Sequence, residues 1–255
     1  MKKNFIIFLL FVFIFTACGD DKTTEIIENQ VISFEEVIDT KDTEKNIELD
    51  TEEKENNDVG LPREGKSNNR DYDWFIDQGK TGKASSNNCG PSSAVMVHKW
   101  YDESTEMTAE KAREEFPENW GWWSTTTIEA YFKANDIPYE EKLYKKPEDL
   151  KKEIDSGKVG ILCIDSTYIT YDPFSKYKTG RFYEYTGGHF IVVKGYQYLN
   201  DQLYWEVYDP NNHGLAYQDG KPMGKDRLYS ESDVDTALKK WWNFILYVDP
   251  KSSEK

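Results

Sequence analysis

All eight tryptophans and all seventeen tyrosines of this 255-residue chain lie between residues 71 and 255. Large aromatic side chains dominate what a small core can bury, so only these last 185 residues can build a substantial one. Residues 19–70 carry 16 Asp or Glu against 7 Lys or Arg and have no Trp or Tyr. Such a segment cannot offset its ordering entropy by burial, and residues 18–70 read as an acidic, disordered tether. As a flexible coil of about 50 residues it spans roughly 40 Å. Within it, Val31-Ile32-Ser33-Phe34 followed by Val37-Ile38 is able to dock as a strand or helical turn.

The chain opens with Lys2 and Lys3, an apolar run over residues 5–15, and the small-residue ending Thr16-Ala17-Cys18. That is a signal-peptide layout, and its run of about eleven residues is too short for the roughly 20 that a membrane-spanning helix needs. The segment resembles a bacterial lipoprotein signal. The resemblance implies removal of residues 1–17, lipidation of Cys18, and an extracytoplasmic chain held at the bacterial cell membrane by its anchor. An ordinary cleaved signal with an incidental cysteine is the alternative.

Residues 71–255 hold 23 basic against 31 acidic residues, a net charge of −8, with no basic stripe. Nucleic acid is therefore excluded as a partner, and the domain is expected to act as a monomer. Besides Cys18 there are two cysteines, Cys89 and Cys163. In an oxidising compartment they could pair. However, Cys163 sits in Val159-Gly160-Ile161-Leu162-Cys163-Ile164, which reads as a buried strand where a cysteine is a small inert hydrophobe.

In the segment after Asn87-Asn88, Ala94, Val97, Trp100 and Tyr101 recur at helical spacing and Pro91 stands in the first turn, so a helix opens at Cys89. Further helices are expected over 108–115 with Thr108 as cap, over 124–134, and over 147–156 closed by Gly157. From residue 159 onward the pattern turns strand-like, at 160–164, 181–185, 189–196, 203–208 and 242–248. Helices followed by strands give an α+β fold.

A thiol must become a thiolate to attack a carbonyl, and a helix N-terminus and a neighbouring imidazole both promote that. Cys89 stands at such a helix start, although buried structural cysteines are common. Its surroundings, Asn87-Asn88-Cys89-Gly90-Pro91-Ser92-Ser93, resemble the nucleophile motif of the papain-fold double-glycine peptidase family, the bacteriocin-leader-processing group and its stand-alone relatives. Such enzymes carry a His at the start of a hydrophobic strand and an Asp, commonly followed by Pro, at the end of the next. Here stand Gly188-His189-Phe190-Ile191-Val192-Val193 and Val207-Tyr208-Asp209-Pro210, in that order. The resemblance implies a papain-like fold, with His189 holding the thiolate as an ion pair and protonating the leaving group, and Asp209 fixing its tautomer. It also implies an oxyanion donor upstream of the nucleophile, for which Gln78 is the candidate and Asn87 or Asn88 the substitutes.

Strands 189–196 and 203–208, joined by a short loop, form a hairpin with His189 and Asp209 at one open end. The two side chains share a face only if cross-strand partners sum to an even number, through an odd loop or a bulge. We expect an odd loop of three residues, Leu199-Asn200-Asp201. His98, about two and a half turns along the helix, cannot reach Cys89, and His213 reads as a solvated loop residue. No zinc or calcium spacing and no phosphate-binding loop is present, so neither metal nor cofactor is expected. Trp120, Trp122, Trp123, Trp241 and Trp242 read as core and inter-helix packing, or else as the lining of a groove for an extended peptide or glycan. The expected activity is thiol-dependent hydrolysis of a peptide or isopeptide bond in a peptide or protein substrate. Acyl transfer to an amine would use the same residues, and a binding module on a papain-like scaffold is the non-enzymatic alternative.

Overall fold

The computed structural model describes residues 63–118 and 121–252. The signal segment, Cys18, most of the tether and Trp120 lie outside the described residues. Among the described residues five α-helices, α1 (Cys89–Tyr101), α2 (Ala109–Glu115), α3 (Thr125–Ala134), α4 (Pro147–Asp155) and α5 (Glu231–Lys240), accompany seven strands. These are β1 (Arg63–Ser67), β2 (Glu140–Leu143), β3 (Val159–Asp165), β4 (Gly188–Leu199), β5 (Gln202–Tyr208), β6 (Arg227–Ser230) and β7 (Phe244–Val248). The sheet is antiparallel in the order β2-β7-β3-β4-β5-β6, and β1 pairs with the second half of β4. The fold is the expected α+β.

Side chains alternate across the sheet, and two cores follow from that period. Val159, Ile161, Phe190, Val192, Leu246 and Val248 pack with α1 and α3, while Leu162, Ile164, Ile191, Val193, Ile245 and Tyr247 pack with α4 and α5. Helix α1 is buried from Gly90 to His98, so it lacks the one-sided stripe of a surface helix. His98 is satisfied inside it, with Nδ1 2.7 Å from the Tyr131 hydroxyl. Thr108 caps α2 as expected, and Ser124, expected as the first residue of α3, is its cap; each accepts from the N–H three residues on.

The β4–β5 hairpin departs from expectation. Leu199 pairs with Gln202, leaving a two-residue turn, Asn200-Asp201, with φ of 49° and 64°. That is the mirror-image turn whose twist suits a hairpin. Partners near it sum to an odd number, as in Gly195↔Glu206, but a bulge between Val193 and Gly195 restores the even register of Val193↔Val207 and Val192↔Tyr208. Lys194 is the extra residue. Its fully buried ammonium is matched by Glu206 Oε1 at 2.5 Å and Asp226 Oδ1 at 2.8 Å.

The expected strand at 181–185 does not form. The Arg181 guanidinium donates to the carbonyls of Tyr183 and Glu184, so these oxygens are satisfied locally and need no ladder. Strand β1, Arg63–Ser67, lies within the stretch expected to be a disordered tether, and residues 63–70 are structured. Asn68 donates from Nδ2 to the carbonyls of Ile154 and Lys158, and the Trp100 indole donates to Asn68 O.

Candidate active site

Cys89 is the first residue of α1, at the helix end whose N–H groups lack intrahelical partners. Its thiol is free and half-buried. The next residue is glycine for a steric reason: a Cβ on Gly90 would lie 2.7 Å from Cβ of Trp123, which packs against the start of the helix. His189 is buried at the start of β4, and its Nε2 lies 2.8 Å from Asp209 Oδ1, one residue past the end of β5. With Nε2 so engaged, Nδ1 is the nitrogen left for Cys89.

Asp209 has no exposed surface, yet its carboxylate is fully provided for. Oδ1 also accepts from the Asn211 N–H at 2.9 Å, and Oδ2 accepts from the hydroxyls of Tyr183 at 3.0 Å and Tyr229 at 2.5 Å. Burial alone would raise its pKa, but the charge and hydrogen bond of His189, with the Tyr229 and Asn211 donors, hold it below the usual carboxylate range. Burial alone would lower His189, and Asp209 and Cys89 together overturn that and raise it. Burial alone would raise the Cys89 thiol, and the hydrogen bond and charge of His189, with the N–H groups of Phe190 and Gly90, bring it below its ordinary value. All three shifts favour one state, a thiolate beside an imidazolium on a buried carboxylate.

Cys163 is free and not bonded to Cys89. Burial pushes its thiol up to about 12, and Cys89 nearby acts in the same direction, so it stays protonated and inert. Gln78 is buried and tied to the site through its backbone, its N–H donating to Pro210 O at 2.8 Å. Its side-chain Nε2 donates to Ser85 O at 3.0 Å and lies 3.5 Å from His213 Nε2. Asn88, a candidate substitute, is committed elsewhere: its Nδ2 donates to both the carbonyl and the hydroxyl of Thr81. Asn87 gives its carbonyl to Arg113.

Of the tryptophans, Trp123 is core, whereas Trp122, Trp241 and Trp242 are exposed. The Trp241 indole packs against the backbone next to the histidine, where a Cβ on Gly188 would fall 2.4 Å from Cζ2. His213 is exposed in the loop after Asp209. Tyr183 and Tyr229 were not identifiable as site residues, because no spacing places a hydroxyl on a carboxylate far along the chain. Among the described residues no group of His, Cys, Asp and Glu could hold a metal ion.

The model of the Peptidase_C39 like family matches residues 71–227, more than half of the chain and a span that includes Cys89, His189 and Asp209. The chain belongs to the Peptidase_C39 like family. Solved structures similar to this C39-like chain include a C39-like peptidase from Bacillus anthracis, at 15% identity and a TM-score of 0.48, covering 74% of this chain and 100% of that one. Another is the peptidase domain of Streptococcus ComA, a bifunctional ABC transporter of a quorum-sensing pathway, at 15% identity and a TM-score of 0.40, covering 65% and 93%. A third is a mite allergen from a comparison of Blo t 1 and Der p 1, at 11% identity and a TM-score of 0.39, covering 70% of each chain. No curated protein matches this C39-like chain.

Proposed function

We propose that this chain is a cysteine hydrolase of peptide or isopeptide bonds, held outside the cytoplasm by a lipid on Cys18. The Cys89 thiolate attacks the carbonyl carbon, the His189 imidazolium protonates the departing amine, and a thioester remains. His189 then deprotonates water, which attacks the thioester to release the acid and return the thiolate. Asp209 keeps the ring oriented, and the Cys89 N–H and the Gln78 amide receive the oxyanion. The observation that carries this reading is the 2.8 Å contact of His189 Nε2 with a fully buried, fully bonded carboxylate, one helix start away from a free thiol. The signal layout of residues 1–18 supports the location.

The test is the pH dependence of iodoacetamide alkylation of the full chain, with modification mapped to each cysteine. Cys89 is expected to react well below the ordinary thiol pKa of about 8.5, to lose that advantage in His189→Ala, and to outpace Cys163 throughout. Labelling of Cys89 only above about pH 8, alike in both proteins, refutes the hydrolase reading.

A further inference from the structure

Arg113, on α2, has no role in the mechanism above, yet its guanidinium is bonded to both residues that precede the nucleophile. Nε donates to Asn88 Oδ1 at 2.9 Å, and the terminal nitrogen Nη2 donates to Asn87 O at 2.7 Å. We propose that Arg113 is a positioning residue for Cys89: it staples the Asn87-Asn88 segment to α2 and sets a permanent positive charge beside the thiolate. The inference rests on the reading of Cys89 as nucleophile.

Three observations carry it. First, Asn88 immediately precedes α1 yet makes no side-chain cap to it. Its amide is spent instead on Thr81 and its oxygen on Arg113, so the fully buried Asn88 is a junction rather than a cap. Second, the junction continues to the oxyanion candidate, since the Thr81 hydroxyl donates to Gln78 O at 2.6 Å. Arg113, Asn88, Thr81 and Gln78 form one hydrogen-bonded chain, in which Thr81 links the segment holding the Cys89 N–H to the residue holding the Gln78 amide and Arg113 anchors the Asn88 end to α2. Third, Arg113 is only half-buried and never loses its proton. Its guanidinium is held on the two residues directly before Cys89; burial lowers its pKa and Cys89 acts in the opposite direction, so the cation stays near the thiol at every working pH, unlike that of His189. A lysine could supply the charge but not the fork that holds a carbonyl and an amide oxygen together.

The experiment compares full-length wild type, Arg113→Met, Arg113→Gln and Arg113→Lys. Cys89 is alkylated across pH with neutral iodoacetamide and with anionic iodoacetate. In the Met and Gln variants the midpoint of Cys89 alkylation should rise by about half to one pH unit. The iodoacetate-to-iodoacetamide rate ratio should fall several-fold, because the cation that attracts the anionic reagent is gone. Arg113→Lys should keep the ratio near wild type, and guanidinium at tens of millimolar should partly restore it in the Met variant. A folded Met or Gln variant with unchanged midpoint and unchanged ratio overturns the proposal and leaves Arg113 a structural tie. Gln can keep a bond to Asn88 without the charge, so it decides the question if Met does not fold. Should wild type itself show no low-pH reactivity of Cys89, the hydrolase reading fails instead, an outcome distinct from a normal wild type with silent Arg113 variants.

Discussion

Replacing Tyr229 by Phe removes one hydroxyl from the interior and leaves the ring packed in the core cluster with Trp205 and α5. The hydroxyl lost is the closest donor to Asp209 Oδ2, at 2.5 Å against 3.0 Å for Tyr183. A hydrogen bond to a charged group contributes about 1.5–3 kcal/mol, and Tyr183 remains, so the expected loss is about 2 kcal/mol. For a domain of this size that lowers Tm by roughly 4–8 °C. The magnitude depends on Asp209 being ionised in the folded state, and this can be isolated. In an Asp209→Asn background the acceptor is neutral, the bond falls to about 1 kcal/mol, and Tyr229→Phe should cost correspondingly less. Urea denaturation of wild type, the two single variants and the double variant at pH 7 gives the coupling, expected to be about 1 kcal/mol. Equal cost of Tyr229→Phe in both backgrounds, within roughly 0.3 kcal/mol, would refute the claim that the tyrosine supports a buried carboxylate.

Three further outcomes follow from the same structure. Gly188→Ala should cost about 1–3 kcal/mol through its collision with Trp241, and most of that cost should vanish in the Gly188→Ala/Trp241→Ala protein, as read by thermal unfolding. With the thiol removed by Cys89→Ser, the charge and hydrogen bond of Asp209 are expected to keep His189 raised against its burial, contributing stability that is full below about pH 6.5 and is lost as pH rises through its folded pKa. The lowered Asp209 contributes stability present above about pH 3.9 and lost as pH falls through its folded pKa. Cys89→Ser should therefore exceed Cys89→Ser/His189→Gln in stability most between about pH 4 and 6.5, and a gap that widens toward pH 9 contradicts the assignment. Asn200→Ala should cost about 1 kcal/mol because Asn200 holds a left-handed backbone, whereas Asn200→Gly should be near neutral in the same assay.

The features visible in the sequence were those that repeat locally. The buried α1, the capped α2 and α3 and the apolar β3, β4 and β5 all announce themselves by period or by cap, and so does the fact that His189 and Asp209 share an open end. Strand β2, with the residues Glu-Glu-Lys-Leu, and strand β6 are too short and too polar for periodicity to mark, and they exist because β7 and β5 offer them an edge. The 181–185 segment has strand composition, but Arg181 binds its carbonyls. The hairpin was mistaken at one point, the means by which parity is kept. The lysine inside the run Ile191-Val192-Val193-Lys194-Gly195 was the available mark of a bulge, since a buried strand has no other reason to hold a charge. Tyr183, Tyr229 and Arg113 are brought to the site only by tertiary approach, which no local pattern encodes.

The bulge makes the site a matter of counting. Flattening it at constant length, with the Asn200-Asp201 turn kept, would set Val193 opposite Tyr208 in place of Val207, and the imidazole would face away from Asp209. Deleting Lys194 outright acts differently: Val193 would follow Gly195 directly and keep Val207 opposite it, so His189 and Asp209 would stay on one face. What that deletion removes is the buried ammonium between Glu206 and Asp226. The hairpin can therefore lose its extra residue and keep its active face, but it cannot keep the residue and lose the bulge.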